Sequence, residues 1–396
     1  MKAIFFIILF LSQLCYSQSW LQLADFPGTA RDDGASFKIN DKVYCGIGLE
    51  VGWTCPNDFY IFDLSTESWT TAAGFPSTTT RQYACGFPLN GKGYVFGGVD
   101  CSNSFLNDLW EFDPSTNNWT QKTSMPSIGR SGSVSFIIND TAYVLGGKTS
   151  TINALPELWA YEPISDVWMQ KPDMPINGTW RGVAFSYKGT GIVGLGKNAL
   201  EQFNKEFYAY SSNKNNWTQI AGYQHSGRVY TGYAQKDSIA YLFGGIDTLD
   251  VIDSTFEQLD LSNFNTYGLA FFPSIHRKGC MSFTGNNSFY ITTGVSNTTR
   301  LKETWRYYDA VGLKEQEANT SVSIYPNPTT RSFTITNKRE PISNIMIYDL
   351  LGKVILTLTD QRSNEFLIDR DLIKGIYTLV CETGSGKRSH HKIIIQ

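Results

Sequence analysis

Six arginines return along this chain at intervals of 47–51 residues: Arg31, Arg81, Arg130, Arg181, Arg228 and Arg277. A guanidinium offers a planar fork of donors and suits a carboxylate, sulfate or phosphate. If each arginine opens the innermost strand of a repeated unit, the six ring one mouth and together would hold an anionic group. The plainer reading is that each pairs locally with an acid such as Asp32, Asp33 or Asp100 and with loop carbonyls. A residue present in every unit is more readily structural than specific. Aromatic side chains stand near the same positions: Trp53, Tyr83, Trp180, Tyr223 and Tyr230. Exposed aromatic faces bind sugar rings and other C–H-rich surfaces, whereas packing between units claims the buried ones. His225 and His276 lie just before Arg228 and Arg277 and join the candidate ligand contacts; as loop histidines their default state is solvated. There is no Ser-His-Asp pattern, HExxH, phosphate loop or zinc spacing, so no catalytic residue, metal or cofactor is assigned.

Those side chains need a scaffold, and the repeat supplies it. A tryptophan or its substitute recurs as Trp20, Trp69, Trp119, Trp168, Trp217 and Tyr267, and a glycine as Gly48, Gly98, Gly147, Gly196, Gly245 and Gly294. A period near 50 means stacked β-blades. In the cycle from Met125 to Trp168, RSGSVSFII, TAYVLGG and ELWAYEP alternate as three strands, and Trp168 opens a fourth. The turns from strand one to two and from three to four are tight. The connections from two to three and from four to one are longer and share the opposite face, where ligands are to be sought. The last cycle ends at Tyr307–Asp309 without its own fourth strand, so residues 20–23 are expected to supply it and hide two sheet edges. Every cycle is of similar length. A uniform ring without a long insertion favours a shallow binding surface over an enclosed active site.

The composition agrees with an all-β chain: 14% aromatic, 17% charged, glycine-rich. A net charge of -3 gives no reason to expect a nucleic acid or an acidic membrane as partner. The repeat resembles the kelch repeat over roughly residues 20–310, with the strongest matches in NDLWEFDPSTNNW with YVFGG and ELWAYEPISDVW with YVLGG. The first glycine of the pair is replaced by Ile47, Leu195 and Thr293 in cycles one, four and six, and Glu257 stands for an aromatic in cycle five. The resemblance implies a six-bladed kelch-type β-propeller that binds a glycan or a protein through its loop face. Two enzymatic kelch groups give the alternative. The copper centre of galactose oxidase needs two Tyr, two His and a Cys cross-linked to one Tyr. The sialic acid mutarotase group needs an acid–base residue and an arginine, parts that Glu201 with Arg181 or Arg228 would play.

The two ends read as addresses. Lys2 followed by AIFFIILFLSQL is expected to be a signal peptide, residues 1–17, cleaved after Ser17. No later segment is long and apolar enough to span a membrane. After a propeller at 18–310 and a linker at 311–320, residues 321–396 read as short alternating strands, a small Ig-like β-sandwich. This segment resembles the type A sorting domain of the type IX secretion system, through Tyr325-Pro326-Asn327-Pro328, the stretch ending Gly352-Lys353, Lys374-Gly375-Ile376-Tyr377 and the terminal Lys392 to Ile395. The resemblance implies a Bacteroidetes-type cell, the type IX machinery as partner, and a product released or held at the outer-membrane surface. An exported chain can oxidise its cysteines. Cys55 and Cys101 follow the glycine strands of neighbouring blades and are the disulfide candidates, while Cys45, Cys85 and Cys280 read as core residues.

Overall fold

The computed structural model describes residues 19–76, 78, 80–308, 322–337, 339–349, 354–359, 362–384 and 388–395. The expected signal peptide, the linker, and Gly352 and Lys353 of the sorting motif lie outside the described residues. The described residues contain strands and no α-helix. They fall into two compact units, 19–308 and 322–395.

In the first unit the alternation of apolar and polar residues builds six four-stranded antiparallel sheets. Their innermost strands are Ala35–Ile39, Cys85–Leu89, Val134–Ile138, Val183–Tyr187, Gly232–Lys236 and Met281–Gly285, and each is followed by its neighbours in chain order. The sixth sheet is completed from the other end of the unit. Ser19–Gln22 pairs antiparallel with Thr304–Tyr308, setting Trp20 opposite Tyr307.

The hydrophobic clusters form between neighbouring sheets, as where Phe87 and Tyr94 of the second meet Val144 and Tyr161 of the third. Where strand one faces strand two, aromatic rings stack: Phe37 on Tyr44, Phe87 on Tyr94, Phe136 on Tyr143 and Phe283 on Tyr290, with centroids 5.1–5.4 Å apart. Such cross-strand pairs add about 0.5–1.5 kcal/mol each beyond their burial. The recurring tryptophans tie one sheet to the preceding one. The indole N–H groups of Trp69, Trp119, Trp168 and Trp217 donate to the carbonyls of Ala24, Ala73, Thr123 and Pro172, and Trp20 reaches Ala270. Tyr267 has no indole and is half exposed.

The recurring glycine explains itself in the same way. All six copies have φ between +81° and +105°, where a side chain is strained. That conformation aims each N–H at the next sheet. Gly48, Gly98, Gly147, Gly196, Gly245 and Gly294 donate to the carbonyls of Arg81, Arg130, Thr179, Arg228, Arg277 and Arg31 in turn. The last of these bonds joins sheet six back to sheet one, so the bonds run in a circle.

The second unit holds a three-stranded sheet (Val322–Tyr325, Ser332–Asn337, Glu365–Asp369) and a four-stranded one (Ile342–Tyr348, Val354–Leu358, Gly375–Thr383, Arg388–Ile395). Both contribute to one core, with Phe333 and Ile335 from the first and Ile345, Ile347, Leu379 and Ile393 from the second.

Candidate functional site

The first strands of five sheets, with Arg181 and Gly182 just before the first strand of the fourth, line a common cavity of about 370 Å³. Its loop-side end is built by the residues two places after Arg31, Arg81, Arg130, Arg228 and Arg277 and, in sheet four, by Arg181 itself. There stand Asp33, Tyr83, Gly132, Arg181, Tyr230 and Gly279, all left-handed with φ between +53° and +68°. Five backbone bonds link them around the opening: Tyr83 N to Asp33 O, Gly132 N to Tyr83 O, Arg181 N to Gly132 O, Gly279 N to Tyr230 O and Asp33 N to Gly279 O. Four non-glycine residues held left-handed in one ring are a concentration of strain of the kind that functional sites retain.

Five of the six arginines do not reach this ring. Arg31, Arg81, Arg130, Arg228 and Arg277 are at most 1% exposed and pair inside their own sheets. Their partners are Asp58, Asp108, Glu157, Glu257 and Glu303. Each also donates to the carbonyl sixteen residues on, at Ile47, Gly97, Gly146, Gly244 and Thr293. Of the two readings, the plainer one fits these five: they pair locally with acids and loop carbonyls and brace the long loop against the first strand, so they do not ring the mouth.

Arg181 stands apart because it belongs to a different register. Thr179, not Arg181, receives the glycine bond from the preceding sheet, and its hydroxyl donates to Leu195 O sixteen residues on. With Thr179 in the series the steps are 50, 49, 49, 49 and 49. Arg181 is thereby released onto the ring. Its guanidinium carbon lies 3.7 Å from the ring centroids of both Tyr83 and Tyr230, and Nη1 donates to Asp33 Oδ1 at 2.7 Å. In the circular order, sheets one and four are three steps apart either way, as are sheets two and five. The ion pair and the two tyrosines thus converge on the mouth from opposite sides.

Asp33 is joined to a second ion pair. Asp32 and Asp33 share a side-chain hydrogen bond, and Arg300 Nε donates to Asp32 Oδ1 at 2.6 Å. Burial, then the charge of Asp33 and the bond to it, push the Asp32 carboxyl up to about 7 against the opposing pull of Arg300. The charge of Asp33 and burial push the Tyr83 phenol up, and burial does so for Tyr230. The Arg300 guanidinium lies 5.5 Å from the ring of Trp53, which is 75% exposed on a left-handed residue, φ +63°. A continuous line of contacts therefore runs from an exposed indole through Arg300, Asp32 and Asp33 to Arg181 between its tyrosines.

The remaining candidates are dispersed. Trp180 lies edge-on to Tyr230 and under the Lys148 ammonium. Tyr223 is buried in sheet five, where its hydroxyl donates to Glu257. His225 bonds Thr266 Oγ1, and His276 packs on Phe271. Glu201 pairs with Lys197 at 3.8 Å. Among the described residues no group of three or more His, Cys, Asp or Glu side chains could hold a metal. Cys55 and Cys101 form a disulfide between the long loops of sheets one and two, with Cα atoms 5.9 Å apart. Cys45, Cys85 and Cys381 are free and buried, and Cys280 is free and partly buried. In the C-terminal unit the bonds before Pro326 and Pro328 are cis, Asn327 Oδ1 accepts from Ile394 N, and the Tyr377 hydroxyl donates to Ile373 O. Pairing with Ile395 places Gly375 at the strand start. Sequence reasoning named Asp32 and Asp33 as pairing acids but missed Arg300, which meets Asp32 only where sheet six closes on sheet one.

Comparison with known proteins follows these units. Residues 21–179 match the model of the KLHDC2/KLHL20/DRC7 Kelch-repeats domain. Residues 323–396 match the model of the secretion system C-terminal sorting domain. Among solved structures, one titled "Structure of YjhT" is similar with a TM-score of 0.60 and 18% identity, covering 71% of this chain and 95% of that one. At that identity the likeness bears on the fold alone, a β-propeller. Among curated proteins, none matches this chain in sequence. The chain carries a kelch-repeat propeller and a type IX secretion sorting tail, which points to export; no described helix is long and apolar enough to cross a membrane.

Proposed function

We propose that this chain is an exported binding module: a six-bladed kelch propeller, residues 18–310, whose loop face binds a glycan. An Ig-like sandwich, residues 321–396, serves as its sorting domain, and the product acts outside the cell or on the outer-membrane surface of a Bacteroidetes-type bacterium. The observation that carries the binding reading is the line of side chains from exposed Trp53 to Arg181 at the loop-side mouth. It combines a bare aromatic face with fixed polar groups, the combination that recognises sugars. Short, uniform loops support an open surface over an enclosed reaction site. Applying the purified full-length chain to a glycan array tests the reading. Retention of a glycan class that Trp53→Ala or Arg181→Met abolishes is the expected result. An array without signal, together with specific capture of one protein from the outer-membrane fraction, would replace the glycan by a protein ligand.

A further inference from the structure

Arg300 is held by one edge only. Its Nε donates to Asp32 Oδ1, while Nη1 and Nη2 have no partner among the described residues. The side chain is 11% exposed, so the guanidinium is fixed in a wall with its outer edge available. Above it stands Trp53 with three-quarters of its surface bare. Leaving a tryptophan exposed on a left-handed residue costs stability, and the loop around it is heavily braced. Trp53 N donates to Glu50 O, and Glu50 N to Thr54 O. Thr29 and Thr54 hydroxyls both donate to the Glu50 carboxylate. Two residues on, Cys55 bonds Cys101 of the neighbouring loop. The backbone that carries the indole is therefore fixed before any ligand arrives, which lowers the entropic cost of binding.

From these contacts we infer that Trp53 and Arg300 form a subsite for a pyranose bearing a carboxylate, the C–H face of the sugar lying on the indole and the carboxylate taking the two Nη groups of Arg300. The inference rests on the glycan-binding reading above and narrows it. A planar fork with two free N–H-bearing nitrogens on one edge matches a carboxylate in bidentate fashion, whereas a neutral hydroxyl uses one of them. Two further cations stand nearby, the Lys278 ammonium over Tyr230 and the Lys148 ammonium over Trp180, while the Glu50 carboxylate is occupied by the Thr29 and Thr54 hydroxyls. Neither lysine has an ion-pair partner among the described residues.

The test uses the full-length chain and two probes, methyl β-D-glucuronide and methyl β-D-glucoside, titrated by calorimetry and by saturation-transfer NMR. The glucuronide should bind roughly tenfold or more tightly than the glucoside, the worth of a charge-assisted pair. Trp53→Ala should abolish binding of both with an unchanged melting temperature, since the ring is exposed. Arg300→Lys keeps the charge, loses the fork, and should erase the preference for the glucuronide. Equal binding of the two probes by the native chain, or glucuronide binding unaltered in Trp53→Ala, overturns the subsite. Absence of binding by either probe overturns it as well. The wider reading then still stands if the array returns a glycan whose retention Arg181→Met abolishes and Trp53→Ala leaves intact, and falls with it if the array is blank.

Discussion

Arg181 Nη1 and Asp33 Oδ1 lie 2.7 Å apart at the channel mouth, although 148 residues separate them in sequence. They come from sheets three steps apart around the ring, so this pair links opposite sides of the propeller. Both side chains are nearly buried, 9% and 2% exposed. Breaking such a pair from one side strands the other charge. Arg181→Met should therefore cost about 3–5 kcal/mol in urea unfolding. Adding Asp33→Asn should restore a good part of it, since no uncompensated charge then remains. Independent, additive losses from the two substitutions would show that the pair is not coupled.

Asp32 makes stability depend on pH in an unusual direction. Its carboxyl is pushed up to about 7 in the folded chain, chiefly by burial and then by Asp33. The unfolded value is about 3.9. Between those values the folded state holds a proton that the unfolded state has released. This group's contribution is fully present below about pH 4, declines as the pH rises through 7 and is flat above. Melting temperatures of the native chain and of Asp32→Asn, whose amide mimics the protonated acid, should lie close together near pH 4 and separate toward pH 8, with the native chain falling below the variant. A difference that does not change with pH would remove Asp32 as the titrating group.

The repeat was legible in the sequence because its marks do mechanical work in every cycle. Each glycine hands a hydrogen bond to the next sheet, and five tryptophans reach back to the sheet before. The missing fourth strand of the last cycle pointed to the N-terminal segment that Ser19–Gln22 provides. Among the arginines, Arg181 was placed in the wrong register, because side-chain type was followed where spacing should have been. Thr179 keeps the 49-residue step that Arg181 breaks by two. The pairing of Asp32 with Arg300 was not legible, since 268 residues separate them and only ring closure joins them. Tyr83 and Tyr230 were found as aromatics near the mouth. Arg181 was found as an arginine of the mouth, but its place between them could not be, because the sandwich depends on the left-handed turn that aims all three inward.

The five internal arginines predict a different mutational signature from Arg181. Arg81 is fully buried, donates to Gly97 O at 2.9 Å and pairs with Asp108 at 2.5 Å. Asp108 also accepts from the Trp110 indole at 2.7 Å. Arg81→Met should destabilise the propeller by about 3–5 kcal/mol, and a double-mutant cycle with Asp108→Asn should give a coupling energy of at least about 1 kcal/mol. Glycan retention per folded molecule should be unchanged. A variant that folds with native stability but binds nothing would return Arg81 to the ligand site.

The Cys55–Cys101 disulfide closes a separation of 46 residues between two long loops of neighbouring sheets. Cross-linking of that span restricts the unfolded chain, and its loss costs about 2–4 kcal/mol. Cys55→Ser with Cys101→Ser should lower the unfolding midpoint accordingly. The bond lies two residues from Trp53, so it should also matter for recognition independently of global stability. Well below the melting temperature, the double variant should bind its glycan more weakly, with the loss concentrated in a faster off-rate, as expected when a preordered contact becomes mobile. Mild reduction of the native protein should have the same effect and reoxidation should reverse it. An unchanged off-rate in a variant whose stability has fallen would confine the disulfide to the fold and leave the orientation of Trp53 to the Glu50 hydrogen bonds alone.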